Sequence, residues 1–226
     1  MTTRDPSVRL ANVVRTLPRH GHDLSRATVR DSQRWRLLEG MVEATARHGY
    51  AEASVAHVIA RAGVSRKAFY EHFVDKEDCF LAAYDVVADR VLADLVATGT
   101  RRAGKAARRR DYVVGFLTAL ERDLAVARVF MVDVLGAGQR ALERRDALNH
   151  RFADQLFGDA DVDATHRLAV VGGVNAVVAS ALLRPAPRLT ALVPSLSAFV
   201  QAALRLGPLG KRDRRKTGSA RVGARS

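Results

Sequence analysis

A single cysteine, Cys79, stands among the 226 residues, so no internal disulfide staples the chain. That usage suits a reducing compartment. Aromatic side chains make up 6% of the sequence, while Ala, Leu and Val abound, a balance that favours helices over sheets. Long apolar runs are missing too. The most apolar stretch, 168–183, is interrupted by Asn175 and Ser180 and falls short of the ~20 residues needed to cross a bilayer. The first five residues lack the basic-then-apolar pattern of a secretion signal. The expectation is a cytoplasmic protein with no membrane partner. No nucleophile–base pair, glycine-rich phosphate loop or acidic dyad can be located, so neither an enzyme nor a cofactor is expected. His150 and His166 lack metal-ligand spacing with each other or with Cys79, so no metal is expected either.

What the chain has in excess is positive charge, +13 in all, and its placement is uneven. Residues 1–30 carry +4 and residues 207–226 carry +6, whereas the long body between them carries +3. Basic arms of this kind attract phosphate without regard to sequence and lose that attraction in salt. On charge alone, a solvated tail that keeps the protein soluble explains them equally well.

The 31–206 region reads as helices throughout, an all-α fold. Trp35, Leu38, Val42, Thr45 and Ala46 recur at helical spacing until Gly49 stops the run. Ser54 then caps a short helix with Val55, Val58, Ile59 and Ala62 inward. Gly63 and Val64 break it, and Ser65 caps a second short helix to about His72. Asp75 opens a longer helix with Phe80, Tyr84, Val87, Val91 and Leu95 inward. A Gly- and Arg-rich hinge is expected over 98–110, followed by helices near 111–124, 126–136, 139–157, 163–184 and 189–206. Pro194 marks a start or a kink in the last of these. The domains are therefore a basic arm at 1–30, a reading unit at 31–76, a helical body at 77–206 and a disordered basic tail at 207–226.

Two short helices joined by a tight glycine turn form a helix-turn-helix, which sets its second helix in the major groove of DNA. Gly63 fits the turn because it takes positive φ cheaply. Val58, Ala62, Val64, Phe69 and Phe73 lie where they can pack inward. The opposite face of the second helix carries Arg66, Lys67, Tyr70 and His72, suited to guanine edges and phosphate oxygens. Lys76 opposes the dipole of the helix it begins. A phosphate docked at that helix start would use the lysine and the free N–H groups together; alone, it would read as an ordinary solvated lysine.

The stretch 54–85 resembles the signature of the TetR family of bacterial repressors. Ser54 stands for the capping residue, Ala62-Gly63-Val64-Ser65 for the turn, and Phe69-Tyr70 with Phe73 for the aromatic motif. Lys76 stands for the lysine at the next helix start. The likeness covers about residues 31–90; Ile59 and Lys67 depart from the family pattern, which commonly has smaller residues there. The resemblance implies a homodimer on a two-fold symmetric operator of double-stranded DNA, with a C-terminal body that binds a small effector. It also implies that the last two long helices pair across the dimer. The DNA-facing set is then Ser54, Ser65, Arg66, Lys67, Ala68, Tyr70, His72 and Lys76. Gly172, Gly173, Ala176, Ala179 and Ala181 would let helices approach closely, within one subunit or between two.

For an effector, the candidate liners are Tyr112, Phe116, Phe130, Asp133, Phe152 and Asn175. Each is also a natural core residue at helical spacing. Asp133 lies in an apolar run and needs a partner, for which Arg128 or a helix end is the expectation. Three functions fit: an effector-released repressor, an effector-independent DNA-organising protein using the basic arms, and a ligand-binding module without specific DNA readout.

Overall fold

The structure is a computed structural model that describes residues 26–99, 104–158, 160 and 162–205. The tail at 207–226 and the arm up to residue 25 lie outside the described residues.

Among the described residues all regular structure is helical. Helix α1, Arg26–Glu52, starts five residues ahead of the expected Asp31 and is interrupted at Gly49, whose φ of 75° only glycine adopts without strain. Helices α2 (Val55–Ala62) and α3 (Arg66–His72) follow, then α4 (Lys76–Gly99). Helix α5 runs from Lys105 to Glu121, so the expected hinge over 98–110 is shorter at its C-terminal side: Arg108, Arg109 and Arg110 are already helical. Arginine is a good helix former, and a run of charge is no breaker. Helix α6 (Leu124–Met131) passes into a 3-10 turn at Asp133–Gly136, and α7 spans Gln139–Phe157. Helix α8 is Ala164–Leu182, a 3-10 turn covers Leu189–Leu192, and α9 is Val193–Arg205. Pro194 thus sits in the first turn of α9, where its missing N–H costs nothing.

The reading unit closes over the inner face of α1. Leu37, Leu38, Met41, Val42 and Thr45 are buried, as are Val58 and Ala62 of α2, Phe69 of α3, and Phe73, Cys79 and Phe80 beyond it. The same core continues into the body, since α1 also packs on α6 and on the 3-10 turn after it. Asp133 lies at that joint. A Cβ on Gly49 would stand 4.0 Å from Asp133 Oδ1. Partial burial pushes the Asp133 carboxyl above the usual range, and the Arg128 guanidinium only offsets this.

Candidate nucleic-acid interface

The helix-turn-helix is built from local signals. Ser54 Oγ accepts the His57 N–H at 3.3 Å, and His57 Nδ1 accepts the Ser54 N–H at 3.4 Å. This is a reciprocal capping box with histidine in the usual place of glutamate. Gly63 closes α2 at φ 62°, in the left-handed region. Ser65 Oγ accepts the Ala68 N–H at 3.0 Å and so starts α3.

Three arginines of α1, none of them in the sequence-derived site, fasten this unit. Arg36 Nη1 donates to the Ala62 carbonyl at 3.2 Å, at the end of α2. Arg30 Nη2 donates to the Glu71 carbonyl at 3.3 Å, and the Arg34 guanidinium lies 4.8 Å from the Phe73 ring centre. Arg61 of α2 pairs with Glu43 of α1. Gly40 is the other residue the sequence reading missed. A Cβ there would come within 2.8 Å of the Val58 carbonyl oxygen, so the close approach of α1 and α2 depends on glycine.

The eight DNA-facing candidates divide by placement. Ser65, Arg66, Lys67 and Tyr70 are exposed, Tyr70 by 51%, and Ser54 is half-exposed beside them. Ala68 is buried in the domain. His72 is half-buried, and its Nε2 is shielded with no hydrogen-bond partner. Burial, then the nearby Arg30 and Arg34, lower the His72 pKa and favour the neutral ring. Lys76 Nζ donates to the carbonyls of Tyr50 and Ala51 at 2.9 and 3.3 Å and lies 4.4 Å from the Tyr50 ring centre. It therefore ties the end of α1 to the start of α4.

The ligand candidates also divide. Tyr112 and Phe116 of α5, Phe152 of α7 and Asn175 of α8 line one cavity with Val113, Leu156, Val171 and Val174. The cavity is narrow, about 20 Å³, little more than one water requires. Tyr112 Oη donates to the Phe152 carbonyl at 3.4 Å, and Asn175 Nδ2 donates to Asn149 Oδ1 at 2.9 Å. Phe130 lies elsewhere, stacked at 4.8 Å on Tyr84 under α1 and α4. Asp133 sits at the α1 joint, also away from this cavity. Among the described residues, no three His, Cys, Asp or Glu side chains gather as a metal site would need.

Residues 37–83 match the family described as bacterial regulatory proteins, tetR family. No curated protein matches the chain. Solved structures share the fold. The fatty acid degradation regulator FadR of Bacillus halodurans is 18% identical, with a TM-score of 0.65 over 73% of this chain and 96% of its own. FadR of Bacillus subtilis, solved in complex with stearoyl-CoA, is 15% identical, with a TM-score of 0.66 over 74% of this chain and 97% of its own. A TetR-like transcriptional regulator from Rhodococcus sp. RHA1 is 21% identical, with a TM-score of 0.55 over 81% and 99% of the two chains. Residues 37–83 thus match the tetR family of bacterial regulatory proteins, and the chain shares its fold with TetR-like transcriptional regulators.

Proposed function

We propose that this regulator is a repressor that binds a palindromic operator as a homodimer through α3 and is released by a small effector. The observation that carries the reading is the outer face of α3. Arg66, Lys67 and Tyr70 are exposed together, on a helix seated by two caps and by the α1 arginines. Arginine and lysine suit guanine O6 and N7, and tyrosine suits phosphate oxygens.

Dimerisation is supported by what α8 and α9 leave uncovered. Ala169, Ala176, Val177, Ser180 and Leu183 are exposed on or just past α8, and Ala198, Phe199 and Ala202 on α9. A contiguous face of small and apolar residues is the kind a second copy covers. Gly172 leaves open space on this face, whereas Gly173 packs within the subunit, where a Cβ would meet the Phe199 ring at 3.2 Å.

The cavity among α5, α7 and α8 is the effector site in this reading. The Bacillus subtilis FadR complex with stearoyl-CoA supports the view that a body of this fold takes a ligand. Helix α5 packs along α4, so widening the cavity would tilt α4 and the reading unit attached to it. Half-sites lie about 34–36 Å apart or a multiple of it, and a small tilt misplaces both α3 helices.

The test is Arg66→Ala, read by fluorescence anisotropy on a selected operator and on random DNA. A loss of roughly 1–3 kcal/mol on the operator alone is expected of a base contact. An equal loss on both DNAs would make Arg66 a phosphate contact, and no loss on either would remove α3 from the interface.

A further inference from the structure

A groove of about 290 Å³ lies between the later part of α1 and α2, lined by Glu43, Arg47 and His48 from one helix and His57 and Arg61 from the other. A single water needs about 10–15 Å³, so a whole polyatomic ion fits. The lining holds one acid, Glu43, and Arg61 covers it with its fork: Nη2 donates to Oε1 at 2.9 Å while Nε pairs with Oε2. Arg47 and the two histidines then set the sign of the groove. Among the described residues the exposed Arg47 side chain has no ion pair or hydrogen bond. The His48 and His57 rings stack, with centroids 4.4 Å apart and planes at 20°. His57 Nδ1 is already taken, as the acceptor of the Ser54 N–H at 3.4 Å. A neutral ring that accepts at Nδ1 carries its proton on Nε2, so the cap makes His57 a donor at the far edge of its ring. The start of α2 adds partial positive charge beside it.

We infer that this groove binds a phosphate group. Arg47 supplies the charge, His57 Nε2–H supplies a directed donor, and His48 steadies the His57 ring by stacking. Donors that arrive from two crossing helices suit a tetrahedral oxyanion better than a planar carboxylate, and arginine beside a helix start is a common phosphate setting. The source the fold favours is the DNA backbone. Helix α2 is the first helix of the helix-turn-helix, the one that crosses the backbone while α3 enters the groove of the DNA. Arg47, His48 and His57 would then extend the contact beyond α3 and hold register without reading bases. This source rests on the reading of the chain as a DNA-binding regulator; the phosphate site itself does not.

The experiment measures binding of the full chain to selected operator and to random DNA over a range of salt, for the wild type, Arg47→Gln and His57→Glu. Arg47 is exposed, so its substitution leaves the fold. Arg47→Gln is expected to lower the slope of log affinity against log salt by about 1, one phosphate contact, on both DNAs. His57→Glu keeps the capping box, where glutamate is the usual partner, so thermal melting should not fall. It sets a carboxylate in the groove and should weaken binding to both DNAs alike. A second arm titrates inorganic phosphate into the full chain without DNA and follows the imidazole NMR signals of His48 and His57. A lowered slope on both DNAs supports the inference with the backbone as source. An unchanged slope with saturable phosphate shifts, lost in Arg47→Gln, supports the site with free phosphate as source. Unchanged slope and affinity in both variants, together with no saturable shift, overturn the inference and leave the reading of α3 standing. A wild type that binds no DNA overturns the proposed function instead, and the phosphate arm alone then decides the groove.

Discussion

Lys76 has three ammonium protons, and two of them point at the carbonyls of Tyr50 and Ala51. By sequence alone, a cation that opposes a helix dipole points to phosphate as its compensation. The structure shows another source: the carbonyl-rich end of α1, where partial negative charge gathers, together with the face of Tyr50. The lysine is therefore a bracket between α1 and α4. We predict that Lys76→Ala lowers unfolding stability in urea by about 1–2 kcal/mol, the scale of hydrogen bonds to a half-exposed charged group. Unchanged stability with weaker DNA binding would make phosphate its main partner instead. The same gap between sequence and structure separates Arg66 from Ala68. Both fall inside one motif, but the seven-residue α3 turns Ala68 under the domain and Arg66 outward.

At the level of elements, the approach of α1 to α2 turns on Gly40. Alanine favours helix over glycine by about 1 kcal/mol, so propensity alone predicts that Gly40→Ala stabilises α1. A Cβ at 2.8 Å from the Val58 carbonyl oxygen requires the two helices to part, and such overpacking costs about 1–3 kcal/mol. The contact should win. We expect Gly40→Ala to melt lower than wild type and to bind DNA more weakly; a rise in melting temperature would show that α2 can shift freely. Most helix starts were legible because caps and left-handed glycines act locally: Ser54, Ser65, Gly63 and Pro194 each mark a boundary where it is found. Gly40 was not legible, because its meaning lies in a backbone 18 residues away. Nor were Arg30, Arg34 and Arg36, which serve the turn only after α1 has folded across it. The cavity was legible in part for the same reason. Periodicity identifies the inward face of a helix, and so found Tyr112, Phe116, Phe152 and Asn175. It does not say which helix lies opposite, and Phe130 turned out to face α4.

At the scale of the molecule, one continuous core joins the reading unit to the body, and in the proposed function this core is what passes a displacement of the body to α3. In the proposed dimer the apolar face of α8 and α9 fixes the distance between the two α3 helices. A charge placed there should therefore act on DNA binding from afar. Ala176→Glu, on the exposed face of α8, is predicted to give a monomer by light scattering with its helicity kept, and to lose operator binding with it. A dimer that persists would move the interface elsewhere. The central claim, that two copies of this chain read a symmetric site, is tested most directly by selecting bound DNA from a random pool with the wild-type protein. The account predicts enrichment of a palindrome whose half-sites are spaced by about one helical turn or a multiple of it. Enrichment of no sequence, or of a single asymmetric half-site, would contradict it.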